Sequence, residues 1–97
     1  MNESIQDLFA KHEAEYGKFD DIPVIHRRHV FPDLCALLYI HEKSPRTHGV
    51  ISGAEHDEIY IDVFDATEYE WTSADILYLV RCGMRYDDET YCFTKFV

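Results

Sequence analysis

Apolar positions recur at helical spacing in three stretches of the chain and at the strand period of two in another. Ile5, Leu8, Phe9, His12 and Tyr16 follow the helical pattern, and Ser4 with Asp7 three residues on has the form of a capping box. A first helix is therefore predicted over residues 4 to 16, stopped by Gly17. Lys18 to Val30 fits neither period and contains Pro23, which predicts an extended connection. Pro32 suits the first position of a second helix, Asp33 its positive end and Lys43 its last turn. The interior, Leu34-Cys35-Ala36-Leu37-Leu38-Tyr39-Ile40, is apolar all round and predicts a central place in the core.

After a loop from Ser44 to Gly49, Val50-Ile51 reads as a short edge strand turned by Ser52-Gly53. From Glu58 to Phe64 the β-branched Ile59, Ile61 and Val63 alternate with Glu58, Tyr60, Asp62 and Phe64, the pattern of a half-buried strand. Thr72 with Asp75 opens a third helix, whose apolar face is Ile76, Leu77 and Val80 and whose stop is Gly83. Met84 to Asp87 and Tyr91 to Val97 flank a polar turn and read as a hairpin. The order helix, helix, strand, helix, strand, strand predicts an α+β fold: a small, mainly antiparallel sheet with three helices on one face. At 97 residues the chain suits a single compact domain over 1–97.

Charge changes the picture. The formal net charge is -10, unevenly spread: residues 1–50 hold eight acids against six bases, and residues 51–97 eleven against three. Between Thr47 and Val80 there is no Lys or Arg, yet there are eight carboxylates. Such a pole repels phosphate and anionic lipid, so direct nucleic-acid binding and membrane adsorption are not expected. No apolar stretch approaches the roughly 20 residues of a membrane span. The polar, acidic Met1-Asn2-Glu3-Ser4 is not a signal peptide, and a cytoplasmic location is expected. Cys35, Cys82 and Cys92 sit among apolar neighbours without close pairing, which predicts reduced, buried thiols.

Candidate chemistry is sparse. His26-Arg27-Arg28-His29 lacks paired zinc ligands, and its arginines repel a cation. Glu55-His56-Asp57-Glu58 with Asp62 is the strongest set for a divalent cation or for acid–base catalysis, but neighbouring strand residues point to opposite faces. There is no nucleophile elbow and no glycine-rich phosphate loop. The sequence assigns no catalytic residue, cofactor or metal.

The acids have a collective reading. With Ile59, Ile61 and Val63 inward, Glu58, Tyr60, Asp62 and Phe64 face outward, about 6.6 Å apart. Asp65, Glu68, Thr72 and Asp75 are spaced as one polar stripe if helical. Glu55, Asp57, Glu58, Tyr60, Asp62, Asp65, Glu68, Glu70 and Asp75 then form a candidate partner-binding surface, with Tyr60, Phe64, Tyr69 and Trp71 as candidate aromatic anchors. Such a surface approaches the charge density of a short duplex, about one charge per 1.7 Å.

A chain of this size, acidic in one block from Glu55 to Asp75, resembles the small phage-encoded inhibitors of bacterial defence, notably anti-CRISPR proteins that mimic DNA. Ile51 to Tyr60 and Val80 to Asp87 are also similar to small phage proteins. The resemblance implies a non-enzymatic inhibitor acting in the host bacterial cytoplasm. Its partner would be a basic nucleic-acid-binding protein, a CRISPR effector subunit whose Lys/Arg groove otherwise holds target DNA. Two other readings stand beside it: a small metal-dependent enzyme centred on Glu55 to Glu58, and a phage accessory module that assembles through an apolar face.

Overall fold

Local capping and one long-range aromatic cluster account for most of the architecture. A computed structural model of the chain describes residues 4–45, 49–62 and 70–96. Ser4 accepts the Asp7 N–H on its side chain and starts helix α1, Ile5–Lys11. The helix ends earlier than its periodicity predicts. At His12 the backbone leaves helical geometry and the imidazole meets Ser73 Oγ at 2.8 Å; a 3-10 turn, Glu13–Glu15, follows. Two further ties hold this corner to the third helix: Gly17 N–H donates to the Val80 carbonyl, and Arg81 pairs with Glu15 at 2.8 Å. The hydrogen bond from Arg81 holds the Glu15 carboxyl below its ordinary range. The tertiary contacts override the local helical preference.

The connection is not simply extended. Phe19–Asp21 and Val24–His26 are 3-10 turns, which the Arg27 guanidinium braces by donating to the Ile22 and Asp20 carbonyls. Helix α2 runs Pro32–Lys43 with proline in its first turn. Cys35, Ala36, Tyr39 and Ile40 are buried, but Leu34 and Leu38 are 40% and 46% exposed. The expectation of a helix buried all round is thus corrected: one apolar flank of α2 faces solvent.

Strands β1, Gly53–Glu55, and β2, Glu58–Asp62, form a hairpin through His56-Asp57. The edge strand lies later than Val50-Ile51, because Ser52 N–H donates to the Tyr60 carbonyl and carries the pairing on into Gly53. Helix α3, Ser73–Arg81, starts on the complete Thr72–Asp75 capping box, and Gly83, at φ 88°, lets the chain leave it. Strands β3, Arg85–Asp87, and β4, Cys92–Phe96, close the chain as a second hairpin, turned at Tyr91 with φ 57°.

The four strands form one antiparallel sheet in the order β1-β2-β4-β3. With three helices this is the α+β architecture read from the sequence. Ile59 and Ile61 of β2 are in register with Lys95 and Phe93 of β4, so these four share a face. Phe93 is fully buried there, with Trp71 edge-on at 5.1 Å and Phe9 at 5.6 Å; Ile40, Ile61, Ile76 and Leu79 complete the centre. Among the described residues no helix is long and apolar enough to cross a membrane.

Candidate functional site

Antiparallel register decides which acids share the other face of the sheet. Glu55 pairs with Glu58 across the first hairpin, Glu58 with Phe96, Tyr60 with Thr94 and Asp62 with Cys92; Asp87 also pairs with Cys92, from the far side. Cross-strand partners point the same way. One surface therefore carries Glu55, Glu58, Tyr60, Asp62 and Asp87, while Asp57 projects from the hairpin turn at its margin. Arg85 lies on this face as well, its guanidinium 5.4 Å from the Phe96 ring.

The centre of this face is Tyr60. Its hydroxyl donates to Glu58 at 3.4 Å. Burial pushes the phenol above its ordinary range, and the charges of Glu58, Glu55 and Asp87 push it further. Carboxylates from three strands thus disfavour ionisation of this one phenol. The closest juxtaposition is Glu55 opposite Glu58, a like-charge cross-strand pair that destabilises a hairpin. His56 lies 3.7 Å from Glu55, but both side chains are largely exposed, so the contact offsets little. His56 itself adopts φ 56°, an uncommon conformation for a residue with a side chain. Charge repulsion and backbone strain therefore meet at one exposed turn.

The predicted residues divide into four groups. Glu55 and Asp57 are exposed, and Glu58, Tyr60 and Asp62 are half-buried on the shared face. Glu70 is exposed just ahead of the Thr72 cap. Asp65, Glu68, Phe64 and Tyr69 lie outside the described residues. Asp75 and Trp71 require correction. Asp75 is 4% exposed: one carboxylate oxygen accepts the Thr72 N–H at 2.9 Å and the other accepts the Tyr39 hydroxyl, so it joins α3 to α2 inside the protein. Trp71 packs on Phe93 in the core and is not available as an anchor.

Asp87 was not singled out by sequence reasoning. Its carboxylate also accepts the Glu89 N–H and the Thr90 hydroxyl, shaping the second hairpin turn. The alternation of Arg85 and Asp87 was visible, but their face follows only once β3 is registered on β4.

Other chemistry finds less support in the geometry. Among the described residues no three His, Cys, Asp or Glu side chains gather as a metal-binding group, so Glu55, His56, Asp57 and Glu58 are not brought together on one ion. The three cysteines are free and buried, and burial pushes the Cys82 thiol well above its ordinary range, the opposite of an activated nucleophile. Cys35 Sγ meets the Tyr78 hydroxyl at 2.8 Å, and that phenol is pushed up to about 12, chiefly by burial. An open groove of about 670 Å³ lies between α1 and the second hairpin, lined by Phe9, Tyr16, Met84, Arg85, Tyr86 and Phe96 among others.

No protein-family model, curated protein or solved structure matches the chain.

Proposed function

We propose that the chain is a non-enzymatic inhibitor that presents an acidic, aromatic-centred sheet face to a basic groove on a nucleic-acid-binding protein. The class resemblance makes that protein a subunit of a CRISPR effector in a phage-infected cell. The supporting observation is the sheet register, which puts Glu55, Glu58, Asp62 and Asp87 on one face with Tyr60 and sets Glu55 directly opposite Glu58. A hairpin that retains a like-charge pair gives up stability, and a cationic partner relieves that repulsion on binding.

The mode of action follows from electrostatics. A net charge of -10 steers the chain toward a Lys/Arg-lined groove, and the acids then take the place of phosphates. The Tyr60 ring, partly sunk between acids, supplies apolar contact where water is expelled.

The first experiment is capture from a bacterial lysate on the immobilised chain at low and high salt, with identification of the bound protein. A basic nucleic-acid-binding protein should be retained at about 50 mM salt and weakened at least tenfold by about 200 mM. Retention insensitive to salt would refute this mode of binding. Stoichiometric divalent metal in the purified chain would instead favour a metal-dependent enzyme.

A further inference from the structure

The groove between α1 and the second hairpin has the size and lining of a small-molecule site. Gln6, Phe9 and Ala10 stand at helical spacing on one side of α1, and Glu13 continues that line into the 3-10 turn. The opposite wall comes from Arg85, Tyr86 and Phe96 of the second hairpin. Val80 and Met84, 2% and 1% exposed, supply a floor set in the core. The volume of about 670 Å³ falls within the roughly 300–1,000 Å³ of ordinary ligand pockets. Phe9 stacks on Tyr86 at 6.0 Å and fixes α1 against β3, while the small Ala10 leaves space that a longer side chain would fill.

Arg85 gives the groove its chemistry. The other described arginines are engaged by the protein: Arg27 donates to two backbone carbonyls, Arg28 to Glu42 and Arg81 to Glu15. Arg85 is exposed and rests on the Phe96 ring, 5.4 Å from its centroid. Among the described residues its guanidinium makes no hydrogen bond or ion pair, in a chain with 19 acids. A fork of five N–H donors is therefore available at the rim, and its natural complement is a carboxylate held by two parallel hydrogen bonds. The ring contact limits the motion of the side chain before a ligand arrives, which lowers the ordering cost of binding.

We propose that the groove binds a small organic monocarboxylate with an aromatic body, its carboxylate on Arg85 and its ring on the apolar floor between Phe9 and Tyr86. The lining selects the body: Met84 and Val80 offer apolar surface, and the aromatic walls favour a ring that can stack or meet them edge-on. Charge selects the head group. Arg85 repels a cation at the rim and accommodates one anionic group. Glu13, exposed on the other wall, has no side-chain hydrogen bond or ion pair among the described residues and repels a second one. The net charge of -10 acts in the same direction, so a dicarboxylate or a phosphate dianion is disfavoured. Glu55, Asp57, Glu58 and Asp62 do not line the groove, so this site stands apart from the proposed partner-binding acids.

The test is titration of the full chain with 2-naphthoate in about 150 mM salt, which screens the distant acids, followed by amide chemical shifts. Two analogues run beside it: 2-naphthalenemethanol, which keeps the rings without the charge, and 2,6-naphthalenedicarboxylate, which adds a second charge. The monocarboxylate should bind one to one with a dissociation constant of about 0.1–1 mM, ordinary for a ligand of this size, and shift Phe9 and residues 84–86. The alcohol and the dicarboxylate should each bind about tenfold more weakly. Arg85→Gln should weaken 2-naphthoate about tenfold while leaving the alcohol within about twofold, which shows that the groove itself is intact. Ala10→Trp, at an exposed helix position, should fill the groove and weaken both. Absence of saturable shifts up to about 5 mM overturns the proposal. So does equal affinity for the monocarboxylate and either analogue, a preference for 2-naphthoate that survives Arg85→Gln, or binding that Ala10→Trp leaves unaltered.

Discussion

Asp57→Lys combined with Glu58→Lys is expected to abolish partner binding while leaving the fold as stable as before or more so. Glu58 stands opposite Glu55, so the introduced ammonium converts a repulsive cross-strand pair into an attractive one, worth roughly 0.2–1 kcal/mol to the hairpin. Asp57 lies exposed in the turn, where a lysine is tolerated. At an interface the same changes act the other way. They place two cations against a basic groove, and disrupting even one desolvated charge pair costs about 2–5 kcal/mol, roughly 30- to 5,000-fold in affinity. Thermal melting and a binding titration on the same preparation separate the two effects. A variant that melts no lower than wild type and binds at least about 100-fold more weakly is the expected outcome. Undiminished binding would show that the acids on this face are ordinary solvated side chains.

Asp75→Ala should do the reverse, damaging stability without acting on the interface. The substitution removes an acceptor from the Thr72 N–H and another from the Tyr39 hydroxyl, in a place 4% exposed. The Thr72 side-chain cap on the residue 75 N–H stays, so losing the acceptor of the Thr72 N–H costs about 0.5–1.5 kcal/mol and removing the buried acceptor of the Tyr39 hydroxyl about 1–3 kcal/mol, giving roughly 2–4 kcal/mol together. In a domain of this size the melting temperature should fall by about 10–25 °C. Asp75→Asn keeps the shape and one acceptor, and should fall between. A melting temperature within about 2 °C of wild type, coupled to lost binding, would return Asp75 to the partner surface and contradict its placement as a structural link.

These two aspartates show what the amino-acid order disclosed. The capping role of Asp75 was legible because Thr72 stands three residues before it. Its burial was not, because Tyr39 comes from α2, 36 residues away in sequence, and no local pattern registers that contact. Helix α2 had clear ends at Pro32 and Lys43, but an apolar run has no phase, so nothing local told the buried Cys35 and Tyr39 from the exposed Leu34 and Leu38. The edge strand of the first hairpin was placed too early for another reason. Its turn uses His56 at positive φ where glycine or asparagine is the usual sign, and Gly53-Ala54-Glu55 lacks β-branched residues, so Val50-Ile51 had the stronger strand composition. The period of β2 was correctly visible at Ile59 and Ile61. The surface it shares with Asp87 needed the pairing of β2 and β3 on β4, a fact of tertiary register.

The central claim is that the sheet face occupies the groove that otherwise holds nucleic acid, and competition at equilibrium tests it most directly. The captured partner would be saturated with its own nucleic acid and titrated with the chain, following both ligands. Mutual exclusion is predicted: the apparent dissociation constant of the chain should rise in proportion to free nucleic acid, with no ternary complex at any concentration. A stable complex containing partner, nucleic acid and chain together would contradict it.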